Sequence, residues 1–196
     1  MIAAWPGQIP AEVEIVAITR AWLEQAVIGL NLCPFAKSVH VKNQVEYRIS
    51  KATDTDSLLE DLVAALQDLR ATPPEQTDTT LLIHPWVLQD FLEYNDFLAI
   101  ADVALQALGL EGELQIASFH PHYQFADTDA DDIGNCSNRA PFPTLHLIRE
   151  ESIAKAVAAV PDAADIFERN IDTLETLGPQ GWRALLDRIL QARRAG

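Results

Sequence analysis

From Glu12 onward the apolar positions recur every three or four residues. Ile15, Thr19, Trp22, Leu23, Ala26, Val27 and Leu30 share one face, which predicts an amphipathic helix. Gly29 and Asn31 are terminators and Pro34 forbids continuation, so residues 29–36 read as a turn leaving that helix. The period then shortens. Val45, Tyr47 and Ile49 alternate with Glu46, Arg48 and Ser50, the pattern of a half-buried strand. Asp54 is a helix cap, and Leu58, Leu59, Leu62, Val63, Leu66 and Leu69 form a helical stripe behind it.

Residues 79–84 are a short run, mostly apolar, stopped by Pro85, which predicts a strand buried on both faces. Residues 86–108 are again helical in period, with a weak point at Asn95-Asp96, and Gly109 ends them. Residues 114–119 predict a third strand. Residues 126–143 have little periodicity and predict a long loop. Thr144 to Ile148 fits either a fourth strand or the first turn of a helix. Helical periods follow over 150–160, from Pro161 through Ile166, Phe167, Ile171, Leu174 and Leu177, and over Trp182, Leu185, Leu186 and Ile189, with a break at Gly178-Pro179. The order helix, strand, helix, strand, helix, strand predicts an α/β domain: a small, mainly parallel sheet with crossover helices and a helical C-terminal extension over 150–195. Residues 1–11 predict an irregular arm. No repeat or linker divides the 196 residues, so one domain is expected.

Charge narrows the partners. A formal net charge of −15 repels phosphate backbones and anionic lipid heads, so nucleic acid and membrane surfaces are not expected partners. The N-terminus lacks the basic start of a signal peptide and no apolar run is long enough to span a bilayer. Cys33 and Cys136 are too few for a disulfide framework. These features predict a soluble, cytoplasmic protein.

Candidate chemistry gathers between Leu114 and Glu150. Two predicted strands end alike, in Leu82-Ile83-His84-Pro85 and Ser118-Phe119-His120-Pro121. If those strands are parallel neighbours, both imidazoles stand at the carboxyl edge of the sheet, where open α/β folds place ligands. There they could bind a divalent transition metal or share a proton. The structural alternative is that each histidine only hydrogen-bonds a nearby carbonyl. His122 makes a short His-x-His pattern with His120 and reads as a loop residue. His146 points opposite Leu145 and Leu147 on a strand, but on a helix it shares a face with Glu150, a spacing usable for a metal. Arg139, with Arg149, could fork a carboxylate or phosphate, or could pair with the aspartates at 127–132. Those aspartates fail as a calcium loop, because Asp132 stands where the turn glycine belongs. Cys33-Pro34-Phe35 is a possible thiol site, with a buried free cysteine as the alternative.

Taken together, Asn31-Leu-Cys-Pro-Phe-Ala36, Ala117-Ser-Phe-His-Pro121 with Tyr123-Gln-Phe-Ala126, and residues 138–150 resemble a bacterial family catalogued as domain of unknown function 1415. The resemblance runs from about Val16 to Trp182. It implies bacterial origin and a single domain, and brings no activity, fold or cofactor with it. Its motifs fall on Asn31, Cys33, Pro34, His120, Tyr123, Asn138, Arg139, His146, Arg149 and Glu150, while His122 and Cys136 lie outside them.

The expectation that follows is an enzyme acting on a small, anionic molecule, with metal-assisted hydrolysis as the first reaction class. His120 would act as acid, base or metal ligand, with His84, His146 and Glu150 completing a metal site. Arg139, Asn138, Arg149 and Tyr123 would hold the substrate. Two alternatives stand beside it: a thiol enzyme using Cys33, and a non-enzymatic sensor binding a small anionic metabolite through Arg139 and Arg149.

Overall fold

The structure is a computed structural model in which residues 9–159 and 166–192 are described. Residues 1–8 of the predicted arm, Val160, and the helix start at Pro161 lie outside them. Helix α1 (Glu12–Trp22) passes directly into a π-helical stretch, Leu23–Ile28. The short α2 (Ala36–Val41) leads into β1 (Val45–Ile49). Then come α3 (Thr55–Ala71), β2 (Thr79–Ile83), α4 (Phe91–Ala107) and β3 (Leu114–Phe119). A 3-10 segment (Ile133–Asn138) precedes β4 (Thr144–Arg149), α5 (Glu150–Ala159) and α6 (Ile166–Gln191).

The local chemistry accounts for these boundaries. The Asp54 carboxylate accepts the Ser57 N–H at 2.8 Å and starts α3. Asp90 accepts the N–H groups of Leu92 and Glu93 and starts α4. Helix α4 therefore begins at Phe91, not at Trp86, and continues unbroken through Asn95-Asp96. Gly178 takes φ 66 within α6 and kinks it at the expected break, a conformation in which a β-carbon would be strained.

The four strands form one sheet in the order β1-β2-β4-β3. Only β1 and β2 pair in parallel, while β4 lies between β2 and β3 and is antiparallel to both. The sheet is thus mixed, not mainly parallel. The cause is the connection over residues 120–143. It carries no crossover helix to bring the chain back around a face, so it re-enters beside β3 in the opposite sense. Thr144 to Ile148 is strand, with Leu81, His146 and Ala117 aligned across the sheet.

Each face buries a core. Leu58, Leu62, Leu66 and Leu69 of α3 and Tyr94 and Phe97 of α4 pack on Leu82, Leu145 and Leu147. Ile15, Ile18 and Trp22 of α1 and Leu174, Trp182 and Ile189 of α6 pack on Leu81 and Ile83. Strand β2 is buried on both sides, as its composition predicts. Each fully buried leucine contributes about 2 kcal/mol of transfer free energy. Among the described residues, no helix is long and apolar enough to cross a membrane.

Candidate functional site

Strands β2 and β3 both run against β4, so they point the same way and end at one edge. His84 and His120 follow them directly, and both are fully buried. The His84 N–H donates to the Pro143 carbonyl at 3.0 Å, and the His120 N–H donates to the Asn138 carbonyl at 3.2 Å. The Tyr94 ring of α4 lies between the two imidazoles, 5.7 Å from His84 and 5.0 Å from His120 by centroid. Its hydroxyl donates to the Thr144 carbonyl at 2.9 Å and accepts the Phe119 N–H at 3.1 Å. The phenol therefore continues the β3–β4 ladder at the residues where the two strands part.

Both imidazoles also hold the turn between β2 and α4. His84 Nδ1 lies 3.2 Å from the Val87 carbonyl and His120 Nε2 lies 3.2 Å from the Leu88 carbonyl. A carbonyl only accepts, so each of those nitrogens carries a proton. His120 Nδ1 accepts the His122 N–H at 3.0 Å, so both its nitrogens are engaged in a fixed neutral tautomer. His84 differs, because its Nε2 is buried with no hydrogen-bond partner. Leu88 adopts φ 56, a left-handed conformation that costs a non-glycine residue about 1–2 kcal/mol. Burial pushes both imidazoles down to about 4, and a neighbouring imidazole lowers each further, His120 acting on His84 and His122 on His120.

His146 stands apart. It lies on the other face of the sheet, beside Phe119. Its Nε2 is 2.6 Å from Thr79 Oγ1. That hydroxyl donates to the Leu147 carbonyl, so it accepts from His146, which burial also holds neutral with its pKa lowered to about 4. Glu150 begins α5 at the far end of β4, about 17 Å along the strand from Thr144. The four residues expected to share a metal are therefore dispersed. Among the described residues, no three His, Cys, Asp or Glu side chains converge as ligands.

The expected substrate-binding residues divide in the same way. The Arg139 guanidinium donates to the carbonyls of Tyr123 at 3.1 Å and Ala130 at 2.7 Å, and makes no ion pair with the aspartates at 127–132. The Asn138 amide donates to the Ser118 carbonyl at 3.2 Å. Tyr123 packs on Phe91, which packs on His120. These three residues shape the wall beside His120. Arg149 lies at the opposite edge, donating through Nη2 to the carbonyls of Leu69 and Thr72 at the end of α3 and of Thr77 in the loop before β2, with its Nε 3.9 Å from the Asp78 carboxylate. A cation there satisfies orphan carbonyls and complements the helix dipole. Arg139 and Arg149 thus cannot grip one small molecule.

Cys33 sits in the turn before α2. Burial pushes its thiol up, against the N–H groups of Phe35 and Ala36, which lower it. Cys136 is buried and its thiol is pushed up to about 11. Neither environment favours a thiolate.

Sequence reasoning missed Tyr94 and Asn135. Tyr94 lies on the buried stripe of α4 with Phe97, Ala101 and Leu105, and a hydroxyl on such a stripe signals a specific partner. Asn135 is fully buried. It accepts from the Phe125 N–H and the Thr128 hydroxyl and donates to the Asp129 carbonyl, so it holds the acidic loop in shape.

The profile of a family described as "Protein of unknown function (DUF1415)" matches residues 14–184. No curated protein and no solved structure matches the chain.

Proposed function

The chain belongs to the DUF1415 family, and from that premise we propose that it is an enzyme acting on a small molecule at the shared carboxyl edge of β2 and β3. His84 is the group that meets the substrate. One observation carries this reading: His84 Nε2 is buried and unpartnered while Nδ1 is tied to the Val87 carbonyl. An unpaired polar atom in a core costs about 1–3 kcal/mol, and of the four such atoms among the described residues, with Tyr47 Oη, Arg149 Nε and Trp182 Nε1, His84 Nε2 is the one that offers a basic nitrogen lone pair. A free lone pair on a fixed tautomer is suited to accept a hydrogen bond or a proton from a bound N–H or O–H. With a pKa near 4, His84 stays the free base at neutral pH. Tyr94 and His120 hold its setting, and Asn138 and Arg139 hold the loop that closes the edge. The reaction class this supports is proton transfer in which His84, a weak base with a pKa near 4, takes up a proton only transiently and hands it on. The metal-assisted hydrolysis expected from the sequence lacks a converged ligand set among the described residues.

The test is turnover of a small-molecule extract, followed by mass spectrometry, with the wild-type protein and His84→Gln. The expected result is a substrate and product pair whose interconversion needs the wild type and is lost in the variant. Conversion by His84→Gln at the wild-type rate would remove His84 from the reaction. No conversion by either protein would count against an enzyme.

A further inference from the structure

A second candidate site lies among elements that pack on the other face of the sheet. A cavity of about 240 Å³ opens between the turn at Leu30 and Asn31 and the first turns of α6, where Ile166, Arg169, Asp172 and Thr173 line it. The fold builds it from both sides. Asn31 takes φ 55 and turns the chain sharply away from the preceding helix. The Asn170 amide donates to the Leu32 carbonyl at 2.9 Å and braces α6 against that turn. Residues 166, 169 and 173 recur at helical spacing and therefore share one face.

The polar atoms of this cavity are specific in kind. The Thr173 hydroxyl proton is used on the Arg169 carbonyl at 2.7 Å, which leaves Oγ1 as an acceptor. Arg169 and Asp172 are three residues apart on one helix, a spacing that suits an ion pair. No ion pair among the described residues includes Arg169 or Asp172. The cavity thus presents a cation and an anion that have no ion-pair partner among the described residues, and two apolar side chains, Leu30 and Ile166.

We propose that this cavity binds a small zwitterion with an apolar side chain, of the class of the aliphatic α-amino acids. Its carboxylate would be forked by Arg169. Its ammonium would be held by Asp172 and Thr173 Oγ1, and its side chain would lie against Leu30 and Ile166. The net charge of −15 decides against a free anion, which the whole protein repels. A zwitterion carries no net charge and escapes that penalty. The volume equals that of about eight water molecules at roughly 30 Å³ each, which suits a ligand of roughly nine heavy atoms. This site is independent of the reading of His84.

The test is calorimetric titration of the full chain with L-leucine. Leucinamide, which lacks the carboxylate, and 4-methylpentanoate, which lacks the ammonium, are titrated in parallel. Leucine is expected to bind saturably. Either half-molecule, and either Arg169→Gln or Asp172→Asn, is expected to weaken binding by about tenfold or more. Both side chains are exposed, so the variants keep the fold. No saturable binding of L-leucine or L-methionine up to about 10 mM would overturn the proposal. So would leucine binding that either substitution leaves unchanged, and 4-methylpentanoate binding as tightly as leucine would replace the zwitterion with a simple anion.

Discussion

Tyr94→Phe removes one oxygen atom from the centre of the candidate site and little else. The ring stays, with its contacts to His84, His120 and Phe91. What goes is the bridge from the Phe119 N–H through the phenol to the Thr144 carbonyl. Tyr94 is fully buried, so water does not replace the lost oxygen. A buried donor left without an acceptor costs about 1–3 kcal/mol, and the Thr144 carbonyl also loses a donor. The expected destabilisation is about 2–3 kcal/mol, measured by urea unfolding at pH 7 with an unchanged m-value. The loss has a local signature as well. The Phe119 amide should exchange with solvent faster in the variant, relative to amides in the middle of β3. A change below about 0.5 kcal/mol, with Phe119 still protected, would refute the reasoning. It would mean that β3 and β4 close up and pair directly once the phenol no longer holds them apart.

Acid should destabilise the fold before its carboxylates titrate. His84, His120 and His146 have folded pKa values near 4, below the ordinary 6.5 of the unfolded chain, so as pH falls from 6.5 towards 4 the unfolded state takes up protons the native state refuses. The expected loss between pH 7.5 and 5.5 is about 1.3 kcal/mol per imidazole, or about 4 kcal/mol together, and urea midpoints that stay level over this range would count against three neutral histidines, two of them buried and one half-buried. Arg149→Leu should cost about 2–3 kcal/mol by leaving the end of α3 uncapped and Asp78 unpaired, and Arg149→Lys should recover less than half of it, since the shorter lysine stem does not carry its ammonium to where Nη2 meets the three carbonyls; equal melting temperatures for wild type and Arg149→Lys would show that charge alone suffices. Cys33 should react with iodoacetamide at pH 7 more slowly than free glutathione does, because burial raises its thiol, and faster labelling would reopen the thiol-enzyme reading.

The elements most legible in the sequence are those whose signals are local. Alternation at Val45, Tyr47 and Ile49 and the doubly buried run of β2 each name a strand. Asp54 marks a boundary through its capping carboxylate and Gly178 through its backbone conformation. Strand neighbours are a different kind of fact. The apolar face of β4 is the same whether it pairs with β2, β3 or both, so periodicity identifies the strand without placing it. The start of α4 was hidden for a related reason. The period over 86–108 continues through Trp86 and Val87, and only the Asp90 cap reveals that the first residues are a turn. Arg139 and Arg149 look like anion ligands because most of their actual partners are main-chain carbonyls, which have no letter in the sequence, and the one carboxylate beside Arg149, Asp78, is 71 residues away in the chain.

The paired His-Pro endings did locate the site, although the arrangement behind them differs from the one that suggested it. Parallel neighbours would have set the two imidazoles about 4.8 Å apart, close enough to share a metal or a proton. With β4 between them, their strands stand roughly 9.6 Å apart. That distance is too long for direct contact and about right for one more ring. Tyr94 supplies it, and the centroid spacings of 5.7 and 5.0 Å span the gap. The insertion of one antiparallel strand therefore changes the chemistry available at the edge. It removes the shared ligand site, makes a tyrosine on α4 part of the cluster, and leaves each histidine to be defined by its own second nitrogen. For His120 that nitrogen is occupied by the His122 N–H, and for His84 it is free. The asymmetry between two similar motifs is why His84, and not His120, is the residue to test for chemistry.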